Sequence, residues 1–130
     1  MPEKRTVERA KTDLRKGKRP STAAGEFVRE EIEHVRAGKH GARSAKQAIA
    51  IGLSKARRAG VPLGPPRKGT VKEETRRSAK RAYEVGQGER KPRAPSAKRR
   101  QATKQALARE PKVAASRLAL SRQAKRAASR

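Results

Sequence analysis

Ser44-Ala45-Lys46-Gln47-Ala48-Ile49-Ala50-Ile51-Gly52-Leu53-Ser54-Lys55-Ala56-Arg57-Arg58-Ala59-Gly60 is the stretch that decides the fold class. Ser44 and Gln47 have the N-cap and N3 spacing of a capping box, in which each side chain satisfies a backbone N–H at the helix start. At 100° per residue, Ala45, Ala48, Ile49, Gly52, Leu53 and Ala56 share one face. Lys46, Gln47, Ala50, Ser54, Arg57 and Arg58 share the other. Gly60 is placed as the residue past the helix end, and Pro62 follows. The pattern predicts a helix with a small apolar face and a basic outer face. Ile51 lies off the apolar face and is a candidate contact for another helix or a partner.

Working upstream, the loop 38–43 precedes this helix, and before it a second helix is expected from Ser21, as N-cap, to Gly38. Phe27, Val28, Ile32 and Val35 form its apolar stripe, and Glu26, Glu30 and Glu33 lie together on a different face. Residues 3–16 read as a polar helix with Val7, Ala10 and Leu14 on one side, ended by Gly17 to Pro20. Downstream, 61–69 reads as a linker stiffened by Pro65-Pro66. Thr70 and Glu73 suggest a second capping box for a helix over 71–85. A linker at 87–95 leads to Ser96, the expected cap of a helix reaching Arg109, and after Pro111 a last helix is expected over 112–129. The fold class is therefore all-α. A helix-loop-helix module at about 21–61 is flanked by a basic arm at 1–20 and by a basic, alanine-rich tail at 62–130, helical or disordered. With so little to bury, the tail helices are expected to fray in the absence of a polyanion.

Composition sets the partner class. The 130 residues include 37 Lys or Arg against 12 Asp or Glu, a net charge of +25. Residues 1–66 carry +9 and residues 67–130 carry +16. Of the apolar residues, 23 are alanine and 19 are larger, with Phe27 and Tyr83 the aromatic pair. That is too little volume to fill one core for the whole chain. The absence of cysteine excludes disulfides, thiolate zinc sites and cysteine nucleophiles. No apolar run approaches the roughly 20 residues of a membrane span, and the N-terminus lacks the apolar stretch of a secretory signal, so a cytoplasmic protein is expected.

Little in the sequence suggests catalysis. His34 and His40 have no complete metal-site or triad spacing around them and read as surface residues. Residues 64–70 place Lys68 and Thr70 near glycine, but without the contiguous Gly-Lys-Ser/Thr of a phosphate loop and with prolines that remove N–H donors. No catalytic residue, metal or cofactor is expected, and the chain is read as a non-enzyme.

The basic clusters carry the remaining signal, because each Lys or Arg that neutralises a phosphate releases condensed counterions. Candidate nucleic-acid-binding residues are Lys46, Gln47, Ser54, Arg57 and Arg58 on the outer face of the 44–60 helix. In the tail they are Arg76, Arg77, Lys80, Arg81, Lys98, Arg99, Arg100, Lys125 and Arg126. With two aromatics, base stacking cannot dominate, which favours duplex DNA over single strands. The expected function is largely sequence-nonspecific DNA binding through phosphates, as in a nucleoid-associated or histone-like protein. One alternative is an RNA- or ribosome-associated protein. The other is an adaptor that docks through Ile51 and the acidic stripe. Membrane binding is not expected, since bulky apolar residues do not oppose the charge. Oligomeric state is not legible.

Residues 44–58 resemble a motif found in small basic uncharacterised bacterial and phage proteins, which typically read Ser-Arg-Lys-Gln-Ala-Ile-Ala-Ile-Gly-Leu-Ser-Glu-Ala-Arg after a helix and a Gly/Lys loop. Lys55 stands where Glu is common. The resemblance covers about residues 25–61 and implies a shared module without an assigned activity. The tail is similar in composition to linker-histone-like bacterial proteins.

Overall fold

A computed structural model describes residues 2–129 of the chain. The all-α expectation is met: six α-helices and one short 3-10 turn, with no strand among the described residues. The helices are α1 (Lys4–Arg15), α2 (Pro20–Arg36), α3 (Ala45–Arg58), α4 (Glu73–Gly86), α5 (Ala97–Arg109) and α6 (Arg117–Ala128), with the 3-10 turn at Val113–Ala115 before α6.

Helix ends show which local signals act. At α3 the Gln47 N–H donates to Ser44 Oγ at 3.1 Å, as the cap predicts. The Gln47 side chain reaches back to the Arg43 N–H at 2.6 Å, one residue before the usual capping-box partner. Ser96 caps α5 by accepting from the Arg99 N–H at 3.2 Å. Two expected caps are corrected. α2 begins at Pro20 instead of after Ser21, because proline's fixed φ and missing N–H suit a first helical position. Thr70 does not cap α4; its hydroxyl donates to the Arg67 carbonyl at 2.6 Å and closes a turn. α4 starts at Glu73 with no side-chain cap at Lys72. The final helix is also shorter than 112–129, since the 3-10 turn intervenes and the Ser116 hydroxyl accepts from the Ala119 N–H at 3.1 Å to start α6.

The described chain divides into two compact units, 1–30 with 52–92 and 31–51 with 93–130. In the first, Phe27 is completely buried among Ala10, Ala23, Ala24, Ala56 and Val61, with Val7, Leu14, Leu53 and Leu63 packed around them. Leu63 and Val61 thus tie part of the expected linker to the core. Gly52 lets α3 meet α2 backbone to backbone: a Cβ there would lie 2.6 Å from Val28 Cα. Gly86 does the same for α4, where an added Cβ would collide with the Arg57 carbonyl oxygen. Ala82 is buried, and the Gln87 amide donates to the Gly60 carbonyl at 3.1 Å.

In the second unit the core is Val35, Ala42, Ala48, Ala114 and Ala115, with Ile32 alongside. Four of its five buried members of that core have the smallest apolar side chain, so the backbones themselves must come close. Gly41 allows this, as any Cβ there would collide with the Glu110 carbonyl. The Gly41 N–H donates to the Leu107 carbonyl at 2.8 Å, and the Ala42 N–H to the Pro111 carbonyl at 3.0 Å. The loop 38–43 thus gives the Leu107 carbonyl a second donor beside the Glu110 N–H, which reaches it at 3.2 Å. Arg36 Nε adds a bond to the Ala115 carbonyl at 2.8 Å.

Gly52→Ala is expected to destabilise the chain by about 1–3 kcal/mol, because backbone atoms block the new methyl group. Gly25→Ala, in the same class of position but with open space around it, should stabilise by about 0.5–1 kcal/mol through backbone entropy. Urea denaturation followed by circular dichroism measures both. Equal shifts of the same sign would remove the close-approach explanation.

Candidate nucleic-acid interface

Lysine and arginine reach phosphate only where the side chain ends in solvent, so burial sorts the candidates. In the second unit, Lys46, Lys98, Arg99, Arg100, Lys125 and Arg126 are all exposed. α5 buries no residue at all. This unit contains 15 described Lys or Arg residues, every one of them exposed, against the three carboxylates Glu31, Glu33 and Glu110. One of those carboxylates, Glu31, is completely buried.

Four of the basic side chains converge. Lys39, Arg99, Arg100 and Lys104 line a groove of about 470 Å³ together with His40, Pro95, Thr103 and Leu107. The cations come from two segments, the 38–43 loop and α5, and that loop is held on α5 by the Gly41 bond and on the residues just after α5 by the Ala42 bond. Lys39 and Lys104 carry no spacing signal that marks them in sequence; only the fold brings them beside Arg99 and Arg100.

In the first unit, Arg58, Arg77, Lys80 and Arg81 are exposed. Arg77 lies 4.0 Å and Arg76 3.7 Å from Glu73, and Arg76 is half-buried. Ser54 is half-buried and accepts from Arg58 Nη2 at 3.0 Å. Arg57 departs most from its expected role. It is 8% exposed, and its guanidinium donates from Nε to the Leu63 carbonyl and from Nη2 to the Gly64 carbonyl, each at 3.1 Å. Burial pulls the Arg57 guanidinium below its ordinary range, although an arginine keeps its charge at neutral pH. Arg57 is a fastener for the chain leaving α3. The 100° periodicity placed it on the outer face but carried no information about the segment that folds back over it.

Two further expectations change. Glu30, read as part of an exposed acidic stripe, is 4% exposed and accepts the Glu3 N–H at 2.6 Å. Glu26 is half-buried and Glu33 exposed, so the stripe does not form a continuous acidic surface. Ile51 is half-buried. The histidines are not isolated surface residues either. His34 Nδ1 lies 3.8 Å and His40 Nε2 3.2 Å from the carboxylate oxygens of Glu31. Helix spacing joins Glu31 to His34, but His40 reaches them only through the shape of the loop.

No described helix is long and apolar enough to cross a membrane. Comparison of the chain with family models, curated proteins and solved structures gave no match.

Arg57→Ala is expected to lower stability by about 1–3 kcal/mol, since two carbonyls lose their donor, whereas Arg58→Ala should leave the unfolding midpoint unchanged. Thermal and urea melts of the two variants compare them directly. An unaltered Arg57→Ala melt would return Arg57 to the list of surface contacts.

Proposed function

We propose that this chain is a non-enzymatic protein that binds duplex DNA through its phosphates with little sequence preference, in the manner of a nucleoid-associated or histone-like protein. The observation that carries the reading is the second unit's 15 described, exposed Lys and Arg residues against three carboxylates, one of them buried. Cations outnumber carboxylates in that unit five to one, and a polyanion neutralises the surplus while releasing its own counterions. The groove lined by Lys39, Arg99, Arg100 and Lys104 gathers four of these cations from two segments of the chain.

The outer face of α3 supports phosphate contact better than base readout. Reading a base edge takes bidentate polar side chains free to enter the major groove. Gln47 is engaged with the Arg43 backbone, Ser54 with Arg58, and Arg57 with two carbonyls. Lys46 and Arg58 remain as exposed cations, and cations alone position a protein on DNA without specifying a sequence. The same electrostatics permits structured RNA, so competition decides between the two polyanions.

The test uses the full chain, because a cut at 66 would remove 67–92 from the first unit and 93–130 from the second. Binding to a random duplex of about 30 base pairs is followed across a salt titration. Ten phosphate contacts give a log–log slope of about −9. Lys98→Ala/Arg99→Ala/Arg100→Ala should flatten that slope by about 2–3, with weakening that is uniform across sequences. Failure of the full chain to bind at about 150 mM salt, or displacement by structured RNA but not by duplex DNA, would overturn the reading.

A further inference from the structure

We propose that Glu31, His34 and His40 form a binding site for one divalent first-row transition-metal ion of the Zn²⁺ class. The starting observation is the ring of His40. Its Nδ1 lies 2.8 Å from the Gly41 carbonyl oxygen. A carbonyl only accepts, so Nδ1 carries the hydrogen of this bond. Nδ1 is thereby committed to the backbone, which leaves Nε2 as the ring atom available to a metal. That nitrogen lies 3.2 Å from a carboxylate oxygen of Glu31, a residue with 0% exposure. A ring nitrogen and a carboxylate oxygen at that separation can both reach one ion placed between them.

His34 completes the set. It stands one helical turn after Glu31 on α2, and its Nδ1 is 3.8 Å from Glu31 Oε1. One ligand atom from each of the three residues lies within 4.8 Å of the others. The two imidazole rings are edge-to-face, with centroids 6.3 Å apart and planes at 81°, so each can direct a nitrogen inward without stacking. Ligands bound to Zn²⁺ at 2.0–2.1 Å in a tetrahedron are about 3.3 Å apart. The His40 pair already has about that spacing, and the His34 nitrogen, 3.8 Å from the other carboxylate oxygen, stands about 0.5 Å beyond it.

Two imidazoles and one carboxylate match borderline ions such as Zn²⁺, Co²⁺ or Ni²⁺, whereas Mg²⁺ and Ca²⁺ favour all-oxygen cages. Three protein ligands leave the remaining coordination for water. The Gly41 carbonyl is the outer partner that fixes the tautomer and orientation of a metal-bound histidine. The ion would lock the 38–43 loop to α2 and hold His40, which also lines the basic groove. The inference stands on these three residues and is independent of DNA binding.

The experiment is calorimetric titration of ZnCl₂ into the tag-free, chelator-stripped full chain in a non-coordinating buffer at about 150 mM salt, where distant cations are screened. One ion per chain is expected, with micromolar or tighter affinity and a higher melting temperature. His40→Ala and His34→Ala should each weaken binding by at least about tenfold, while Mg²⁺ produces no saturable heat. Co²⁺ in place of Zn²⁺ should give visible absorption bands that both substitutions abolish. His40 lies in a loop, so circular dichroism of His40→Ala separates lost ligation from lost folding. Absence of saturable Zn²⁺ binding, or binding indifferent to both substitutions, would overturn the site.

Discussion

Backbone-to-backbone approach at glycine is the constraint on which the packing depends. Gly52 lets α3 reach α2 in the first unit, Gly86 brings the end of α4 onto the Arg57 carbonyl, and Gly41 seats the 38–43 loop against the Glu110 carbonyl in the second. A chain with two aromatic residues and 23 alanines cannot fill its interior with side-chain volume. It removes water by drawing backbones together until alanine methyls are enough to fill the gap. Ala48, Ala114 and Ala115 are completely or nearly completely buried in this way. Each glycine is thus a packing requirement, and the three are not interchangeable with Gly25 or Gly64, which have open space around them.

This mode of packing leaves the helices' outer surfaces to lysine and arginine. α5 contributes no buried residue and is held through the Leu107 carbonyl, the half-buried Leu107 side chain and the Pro111 carbonyl just beyond its end. Its remaining positions can carry charge at no cost to a core. The same economy explains how a unit with three carboxylates accommodates 15 described Lys or Arg residues: each of them keeps an exposed side chain in water. Their mutual repulsion opposes the compact state, and salt or a polyanion relieves it.

The sequence made the fold class legible through α3. Its apolar face, its Ser44 cap and its Gly60 ending are all local signals, and Gly60 has the left-handed φ of +104° that favours glycine there. Ser96 was legible for the same reason. Thr70 and Ser21 were misleading because Ser and Thr serve turns and first helical positions as readily as caps. The packing of the tail was not legible, since a count of large side chains does not register glycine-mediated contact. The site was partly legible. Exposed cations in the tail follow from composition, but Arg57, Glu30 and the meeting of His40 with Glu31 depend on where loops return, which helical periodicity does not encode.

The buried charges show how this chain treats polar groups that do leave water. Arg57 has a cationic head and receives two carbonyl acceptors from the segment that follows its own helix. No carboxylate is needed, because charge-assisted bonds to backbone offset the desolvation. Glu31 is the converse case, an anion with complete burial. Backbone N–H groups could have served it, but the middle of α2 has none to spare, since each is committed to the helix. Side chains therefore supply its neighbours, and the chain's two histidines are among them. Imidazole differs from lysine and arginine in being able to ligate a metal through a ring nitrogen, so two of them beside one buried carboxylate offer a donor set that a Lys–Glu pair would not.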